Sequence, residues 1–457
     1  MQEALARVTL DLGGDMRTVV MGAGRSGLAA ARFLAAQGQS VVLTDSRPDP
    51  GAVLELELAK AGIPGVWGSH PFALLEGCGE LVLSPGIPRT APFVAEALSR
   101  GISVIGEVEL AHRILRGRGD GGRVLAVTGT NGKSTTTDLV AHLLRVSGLP
   151  AAACGNLGTP VIEAVAAGVP TMVYVVELSS YQLESVADFH AEGAAFLNLT
   201  PDHLARHGTL EAYRQAKLRI FERQDAVDLR VVPAAHPDWW QDAPGAGRDA
   251  RFGWTPCDAW CDGEGLLHLH GEPLLHRSEL RIPGDHNVEN ALAAALLARH
   301  GGAAVEAIRA GLRSYPGLAH RIAFCGEKGG VRAYNDSKGT NVDATLTAIK
   351  ALPGPLVLLL GGTDKGASYA PLREALDGKL RRLVFLGEAI PQLTRDLGDL
   401  PHDVIPAFDD AVHGALSLAS PGDQVVLSPA CASFDQFDNF EQRGDRFEAL
   451  VRTWAGA

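Results

Sequence analysis

A short loop between residues 128 and 135 carries the residue types that bind a nucleoside triphosphate. The apolar run 124–128 leads into Gly-Thr-Asn-Gly-Lys-Ser-Thr, and a helical pattern continues to about Leu144. Glycines let backbone amides close around phosphates, a lysine neutralises the β- and γ-phosphate charge, and a serine hydroxyl can ligate Mg²⁺. Because Val127 stands where the first glycine of GxxxxGK[ST] would fall, this is a shorter variant of the loop. The predicted nucleotide-binding residues are Gly129, Thr130, Asn131, Gly132, Lys133, Ser134 and Thr135.

Two further predicted strands deliver polar side chains to the same edge of a sheet. The run 172–176 ends at Glu177, and the run 195–199 leads to Asp202 and His203. A carboxylate at the end of a buried strand is costly without a cation nearby, so Mg²⁺ is its expected partner. The alternative for Glu177 is an acid merely exposed at a strand end, and the alternative for His203 is a structural histidine.

A second glycine loop lies near the start of the chain. The apolar run from Thr18 ends in Gly22-Ala-Gly-Arg-Ser-Gly27, and an Ala-rich helical stretch follows. Strand, glycine loop and helix together are typical of a diphosphate held at a helix N-terminus. The next strand ends at Asp45, about where nucleotide-binding folds place an acid that binds ribose. The pattern leaves NAD or FAD, another diphosphate such as a UDP-sugar, and a tight turn without ligand as alternatives.

Polar loops also follow the apolar runs of the last 140 or so residues. Two of these loops carry Lys338 and Lys365, which suit a carboxylate or a phosphate but could equally be solvated charges. Before them, Asn287 and Asn290 open an Ala-rich helical stretch. We expect Asn287 to cap that helix, and two asparagines three residues apart could also bind an adenine edge.

The elements that must position these residues alternate between strand and helix, which predicts an α/β fold built on parallel sheets. At about 150 residues per domain, 457 residues predict three domains. We expect a Rossmann-like domain over 1–112, a central P-loop mononucleotide-binding domain over 113–317, and a Rossmann-like α/β domain over 318–457. Many of the 53 glycines stand where an apolar run meets a helical pattern, as such a fold requires.

Composition argues against several classes of function. A formal net charge of -12 argues against nucleic acid or anionic membranes as partners. Six scattered cysteines lack metal spacing: Cys257 and Cys261 have no second pair beside them, so we expect no zinc site. No apolar run approaches 18 residues, so we expect no membrane insertion. We expect a monomer in the reducing cytoplasm.

Several blocks of residues together resemble the Mur ligase family of peptidoglycan precursor synthesis along nearly the whole chain. The resemblance implies a ligase that uses ATP and two Mg²⁺ ions to add D-glutamate to UDP-N-acetylmuramoyl-L-alanine through an acyl phosphate. The alternatives are another Mur-type or folylpolyglutamate-type amide ligase, a dinucleotide-dependent oxidoreductase, or a non-catalytic nucleotide-binding regulator. The matching blocks are 22–27, 84–87, 128–135, 155–156, 177–184, 202–203, 213–222, 287–294, 320–321, 335–341 and 428–446.

The resemblance also implies a role for each matching position. It places ATP at the loop 129–135 and at Asn287, Asn290, Arg321 and Asp336. It places Mg²⁺ at Ser134, Glu177, His203 and a carbamylated Lys217, and catalysis at Lys133, His203, Lys217 and Asn156. The UDP-substrate would contact Arg25, Ser26, Asp45, Ser46, Arg47, Ser84, Gly86 and Asn156. D-glutamate would contact Lys338, Thr340, Lys365, Ser433 and Phe440.

Overall fold

Three mainly parallel sheets, each flanked by helices, are formed by the residues that the structure describes, namely 16–364, 366 and 368–456. The structure is a computed structural model. Its chain divides into two compact units. The first unit takes residues up to Glu279 together with Val288–Arg313, and the second takes Leu280–Asn287 and the residues from Ser314 onward.

The first sheet has five parallel strands in the order β3-β2-β1-β4-β5. These are β1 (Arg17–Met21), β2 (Val41–Asp45), β3 (Gly65–Trp67), β4 (Cys78–Leu83) and β5 (Ser103–Gly106). The helices are α1 (Arg25–Ala36), α2 (Ala52–Lys60), α3 (Pro92–Ser99) and α4 (Glu107–Arg118). Because strand order reverses at β1, the loops after β1 and β4 diverge and leave a crevice at the carboxyl edge.

The second sheet has nine strands in the order β14-β13-β12-β11-β10-β9-β6-β8-β7. The pairings β12–β13 and β13–β14, at one edge of this sheet, are antiparallel. The strands are β6 (Arg123–Thr128), β7 (Ala151–Gly155), β8 (Val173–Glu177), β9 (Gly193–Phe196), β10 (Leu229–Pro233), β11 (Arg248–Gly253), β12 (Ala259–Cys261), β13 (Leu266–Leu269) and β14 (Glu272–His276). The helices of this stretch are α5 (Lys133–Val146), α6 (Val161–Ala167), α7 (Ser180–Leu183), α8 (Leu204–His207), α9 (Leu210–Leu218), α10 (Asp285–His300) and α11 (Val305–Ser314). The strand β6 lies between β8 and β9, so the three loops that follow these strands are neighbours.

The third sheet, in the second unit, has six strands in the order β15-β16-β20-β17-β18-β19. Only the edge pairing β15–β16 is antiparallel among them. The strands are β15 (Ala323–Lys328), β16 (Val331–Asn335), β17 (Leu356–Gly361), β18 (Leu380–Leu386), β19 (His402–Val404) and β20 (Gln424–Leu427). The helices are α12 (Val342–Ala351), α13 (Leu372–Leu376), α14 (Ile390–Leu397), α15 (Phe408–Leu418) and α16 (Phe440–Ala455).

The apolar strands are the cores of these layers. Every residue of β8 and of β17 is buried, as expected of parallel strands covered by helices on both faces. Such strands are near-continuous runs of Val and Leu, which is why the sequence marks them without an alternating pattern. Among the described residues, no helix combines the length and the apolar character that crossing a membrane needs.

The predicted α/β class is confirmed, and the strands next to the predicted loops lie within three residues of their predicted positions. The capping role predicted for Asn287 is wrong. The helix α10 begins at Asp285, two residues earlier, and the Asn287 side chain donates instead to the carbonyl oxygen of Pro283 at 2.7 Å. The Asp285 carboxylate suits the positive N-terminus of the helix, so the first turn starts there. The predicted domain boundaries stay predictions.

The tight packing of α1 on β1 can be tested at two glycines of the first loop. A Cβ on Gly27 would overlap the carbonyl oxygen of Gly22 and lie 2.6 Å from Ser84 Oγ, whereas a Cβ on Gly24 would meet nothing within 4 Å. We therefore expect Gly27→Ala to lower the free energy of unfolding by about 1–3 kcal/mol, the usual cost of overpacking. Urea denaturation measures this change. Gly24→Ala is the matched control and should unfold like the wild type; equal stability of both variants would contradict the packing.

Candidate active site

The loop between β6 and α5 has the backbone conformation that a phosphate-binding loop needs. Gly129 and Gly132 have φ of 150° and 81°, values that side-chain-bearing residues rarely adopt. A Cβ on Gly132 would also overlap the side-chain amide of Asn290, so that asparagine of α10 packs directly against the loop. Both glycines are therefore required by the loop itself, and the predicted residues Gly132 and Asn290 lie together.

Two lysine ammonium groups share one acceptor in this loop. Lys133 Nζ donates to the carbonyl oxygens of Gly129 at 3.0 Å and Thr130 at 2.8 Å. Lys217 Nζ, from α9, donates to the same Gly129 carbonyl at 2.7 Å. Lys217 is 1% exposed and its ammonium lies 4.4 Å from the centre of the Tyr213 ring. The structure thus brings the two predicted catalytic lysines together.

Burial and the neighbouring Lys133 make the charged form of Lys217 unfavourable. Burial first, and then the charge of Lys133, lower the pKa of Lys217 well below its usual range, although Asp202 and Glu177 act in the opposite direction. A lowered pKa favours the neutral amine, which is the form of lysine that can act as a nucleophile. The helix α9 therefore places a buried amine beside the loop that follows β6.

A buried carboxylate with one unpartnered oxygen ends the neighbouring strand β8. Glu177 is 1% exposed, and its Oε1 accepts a hydrogen bond from Asn156 Nδ2 at 2.8 Å. Its Oε2 is buried and has no hydrogen-bond partner among the residues that the structure describes. An unpaired buried carboxylate oxygen is costly, and a divalent cation would satisfy it. Ser134, the first-turn serine of α5, is also buried, so Glu177 and Ser134 fit a Mg²⁺ site by their oxygen chemistry.

His203 occupies a strained position in the loop after β9. Its φ is 54°, in the left-handed region, and its side chain is 45% exposed. The Nδ1 atom lies 3.2 Å from the Tyr181 hydroxyl, and Nε2 lies 3.5 Å from a carboxylate oxygen of Asp202. A strained, exposed histidine held by two polar neighbours is available to a ligand, which is a property that functional sites often show.

The first glycine loop lines an open cavity of about 420 Å³ in the first unit. Six of the eight residues predicted to bind the UDP-substrate line it, together with four flanking residues and His70. The lining residues are Gly22, Gly24, Arg25, Ser26, Asp45, Ser46, His70, Ser84, Pro85, Gly86 and Ile87. Of the other two predicted residues, Arg47 forms an ion pair with Asp45 at 3.1 Å, and Asn156 is the partner of Glu177. Arg25 also donates to the carbonyl of Gly158.

Asp45 is held as an acceptor in this cavity. Its two carboxylate oxygens accept hydrogen bonds from the backbone N–H of Ala23 at 2.6 Å and of Arg47 at 2.9 Å. Burial raises the pKa of Asp45, but these hydrogen bonds and the Arg47 charge outweigh it and leave the pKa below its ordinary value. Asp45 is therefore ionised at neutral pH.

A second group of predicted residues lies in the second unit. The Lys338 ammonium lies 5.6 Å from the centre of the Phe440 ring, so the structure brings these two predicted D-glutamate residues together. Ser433 is buried, and the backbone N–H of Thr340 donates to the Lys338 carbonyl at 2.8 Å. Lys365, the remaining predicted residue of this group, lies outside the described residues.

Asp336 is buried beside these loops. Its Oδ2 accepts a hydrogen bond from Ser428 Oγ at 2.6 Å. Burial raises the pKa of Asp336 to about 7, while Ser428 and the charge of Arg321 lower it less strongly. The predicted pair Arg321 and Asp336 is thus close enough to interact electrostatically.

Sequence reasoning missed two residues that hold these loops. Asn198, in the loop after β9, accepts from Asn131 N–H at 2.8 Å and donates to the Asn131 carbonyl at 3.1 Å. Arg443 of α16 is 1% exposed and donates to the Ser337 hydroxyl and to the carbonyls of Cys431 and Ala432. Neither residue carries a motif of its own; only the conspicuous block around Arg443 hinted at a role.

The role of Asn198 can be tested through the affinity for nucleotide. Replacing Asn198 by Ala removes two hydrogen bonds that hold the phosphate loop, and we expect the affinity for a non-hydrolysable ATP analogue to fall by about tenfold. Isothermal titration calorimetry measures this affinity. The melting temperature without nucleotide is the control and should change little; an unchanged affinity would show that the loop does not need Asn198.

Models of three protein domains match the chain in sequence. The Mur ligase MurD-like N-terminal domain matches residues 16–106, the Mur ligase middle domain matches 127–298, and the Mur ligase glutamate ligase domain matches 320–431. Solved structures of the family share the fold at low sequence identity. The UDP-N-acetylmuramate-alanine ligase MurC of Thermotoga maritima has a TM-score of 0.59 at 18% identity, over 96% of this chain and 100% of that one. The MurF ligase of Thermotoga maritima in complex with ADP has a TM-score of 0.58 at 17% identity, over 91% and 96%.

Curated relatives are more similar in sequence than these solved structures. The following three bear the name UDP-N-acetylmuramoylalanine--D-glutamate ligase. The protein of Solibacter usitatus is 41% identical over 95% of this chain and 97% of its own length. The protein of Anaeromyxobacter dehalogenans is 42% identical over 95% and 97%, and that of Myxococcus xanthus is 42% identical over 97% and 99%. At this identity over almost the full length of both chains, the protein belongs to the Mur ligase family.

Proposed function

We propose that this protein is the ATP-dependent ligase that joins D-glutamate to UDP-N-acetylmuramoyl-L-alanine in peptidoglycan precursor synthesis. The observation that carries the proposal is the near-full-length match to relatives that bear this name. The geometry supports the proposal, since one chain carries a loop with the conformation of a phosphate-binding loop, a cavity large enough for part of a nucleotide-sugar, and Lys338 beside Phe440. The predicted cytoplasmic location and monomeric state belong to the same proposal.

The reaction we propose has two steps. A carboxylate oxygen of the L-alanyl group attacks the γ-phosphorus of ATP, the bond to the β-phosphate oxygen breaks, and ADP leaves. The unprotonated amine of D-glutamate then attacks the acyl phosphate carbon, phosphate leaves, and the nitrogen gives up a proton to solvent. The main obstacle is repulsion between the carboxylate and the triphosphate. Lys133 and the amides of residues 129–135 would offset it by binding the phosphates through positive charge and N–H donors.

Divalent metal fits this site because Glu177 has a buried oxygen without a partner. We propose that Ser134 and Glu177 hold one Mg²⁺, and that His203 and a modified Lys217 serve a second. Bound there, Mg²⁺ would neutralise charge on the transferred phosphoryl group. Asn156 would orient the Glu177 carboxylate, because Asn156 Nδ2 donates to Glu177 Oε1.

Lys217 is proposed to act as a carbamate. Burial and the charge of Lys133, which donates to the same carbonyl oxygen, disfavour the ammonium form of Lys217. The neutral amine can attack the carbon of CO₂, and loss of one proton gives a carbamate with a single negative charge. This change replaces a cation that would repel Mg²⁺ with an oxygen ligand beside Lys133.

The remaining contacts are proposed by domain. Adenine would lie near Asn287 and Asn290, with Arg321 and Asp336 near the nucleotide. Ser26, Ser46, Ser84 and Gly86 would contact the UDP-substrate along with Arg25, Asp45 and Arg47. In the second unit, Lys338, Thr340, Lys365, Ser433 and Phe440 would bind D-glutamate, and Arg443 fixes the loops that carry several of them.

The alternative functions leave parts of the molecule unexplained. A dinucleotide-dependent oxidoreductase or a non-catalytic regulator would account for the first glycine loop but not for Lys217 and Glu177 at the second. A folylpolyglutamate-type ligase would not need the cavity lined by Asp45 and Ser84. Membership of the Mur family and the name shared by the relatives reported above favour the D-glutamate ligase.

Phosphate release tests the function directly. We expect release from ATP that requires UDP-N-acetylmuramoyl-L-alanine and D-glutamate together, with little activity when L-glutamate or L-alanine replaces D-glutamate. Lys133→Ala should reduce turnover by about 10²- to 10³-fold, as loss of a charge-stabilising donor does. Binding of the UDP-substrate should persist in that variant, and Lys60→Ala on the exposed face of α2 is the matched control. Turnover that occurs with L-glutamate and not with D-glutamate would refute the assignment.

The carbamate on Lys217 can be observed by carbon-13 NMR. In protein equilibrated with carbon-13-labelled bicarbonate, we expect a carbamate resonance that disappears in Lys217→Ala and remains in Lys60→Ala. Thorough removal of CO₂ should lower activity, and added bicarbonate should restore it. A fully active protein without that resonance would show that Lys217 acts as an unmodified amine.

A further inference from the structure

His70 lines the nucleotide-sugar cavity but belongs to no motif that the sequence marks. It lies in the loop after β3, and its ring is held from two sides. The Nδ1 atom lies 2.9 Å from the hydroxyl oxygen of Thr44, which is a fully buried residue of β2. The ring centre lies 5.8 Å from that of the buried Phe93. The imidazole orientation is therefore fixed before any ligand binds.

The hydrogen bonds of Thr44 favour one tautomer of His70. The Thr44 hydroxyl has one proton, and the Ser69 carbonyl oxygen at 3.2 Å can only accept it. With that proton donated to Ser69, the Thr44 oxygen accepts from His70, which places the His70 proton on Nδ1. The other tautomer would leave the Thr44 hydroxyl oxygen and the Ser69 carbonyl as two facing acceptors.

In this tautomer the Nε2 atom of His70 carries a lone pair. No hydrogen-bond partner for Nε2 is found among the residues that the structure describes. Burial lowers the pKa of His70, and the charge of Asp45 raises it less strongly, so the ring is neutral at pH 7. The cavity thus contains two acceptors, the Asp45 carboxylate and His70 Nε2.

A diphosphate at neutral pH offers only acceptors, whereas a nucleoside offers the imide N–H of uracil and the hydroxyls of ribose. An acceptor on the cavity wall therefore favours the nucleoside and disfavours phosphate beside it. The cation Arg25 and the N-terminus of α1 have the opposite preference, since they attract phosphate. This division of donors and acceptors would orient a nucleoside diphosphate in the cavity.

We propose that His70, locked by Thr44 with its proton on Nδ1, is a specificity-determining residue that accepts a hydrogen bond from the nucleoside part of the UDP-substrate. The proposal rests on the proposed function, because it names a contact within that substrate's site. Thr44 acts through His70 and is a positioning residue.

Binding of UDP to the whole protein, measured by isothermal titration calorimetry, tests the contact without requiring catalysis. His70→Phe keeps a ring against Phe93 but lacks the acceptor, and we expect the affinity for UDP to fall about threefold to tenfold, the usual effect of one neutral hydrogen bond. The affinity for inorganic pyrophosphate should not change. Equal UDP affinity in wild type and His70→Phe would overturn the proposal.

The variant Thr44→Val tests whether Thr44 affects UDP binding by positioning the ring of His70. This variant keeps the shape of Thr44 but releases the ring, so UDP affinity should fall by a similar or smaller factor. The double variant should bind UDP no more weakly than His70→Phe alone, because Thr44 acts only through His70. Additive losses would overturn that coupling. A long-range proton–nitrogen NMR spectrum should show the proton of His70 on Nδ1, and a proton on Nε2 would contradict the proposal.

Two kinds of UDP analogue identify the donor. If the imide nitrogen donates, UDP methylated at that nitrogen should bind the wild type more weakly and should bind His70→Phe as well as UDP does. If a ribose hydroxyl donates, the same two results should be seen with the analogue that lacks that hydroxyl. Full affinity of the wild type for all of these analogues would overturn the proposal. If the wild type does not bind UDP at all, the proposed substrate itself is wrong, an outcome distinct from failure of His70 alone.

Discussion

Two lysine side chains converge on a single backbone carbonyl, that of Gly129, to which both Lys133 and Lys217 donate. Burial of Lys217 and the charge of Lys133 both disfavour a second positive charge there. The arrangement becomes favourable when anions enter: phosphates beside Lys133, and a negative group on the Lys217 arm. The loop therefore suits the anionic substrates of the proposed reaction, and the Glu177 oxygen that lacks a hydrogen-bond partner among the described residues suits a cation.

The sheets place these charged groups by a simple rule of parallel topology. Loops that follow β6, β8 and β9 all emerge at the carboxyl edge, so the phosphate loop, Glu177 and His203 become neighbours although they are far apart in sequence. The same rule gathers the loops after β1, β2 and β4 around the cavity proposed to bind the UDP-substrate. Positions such as Gly132 and Gly27 cannot carry a side chain, because the backbone or a neighbouring polar group already occupies that space.

Buried polar side chains hold the loops of the second unit. Arg443 has no acidic hydrogen-bond partner among the described residues, but it donates to carbonyl and hydroxyl oxygens on two loops and so fixes their separation. Burial lowers the pKa of Arg443 to about 10, which still leaves the guanidinium charged at neutral pH. Asp336 and Ser428 link the same loops from the other side. Such a satisfied network restricts the loops to one arrangement, and this suits the amino-acid site proposed there.

The fold class and most of the loops that carry chemistry could be predicted from the sequence, because apolar strands followed by glycine or polar loops are local patterns. The family was predicted from the resemblance of its motif blocks. The sequence could not reveal that Lys133 and Lys217 share a carbonyl, that Glu177 has an unpartnered oxygen, or that Asn198 and Arg443 hold the loops. It also misplaced the start of α10 at Asn287, since capping competes among several polar residues there. These points required the three-dimensional structure, because hydrogen-bond partners and burial depend on elements that are distant in the chain.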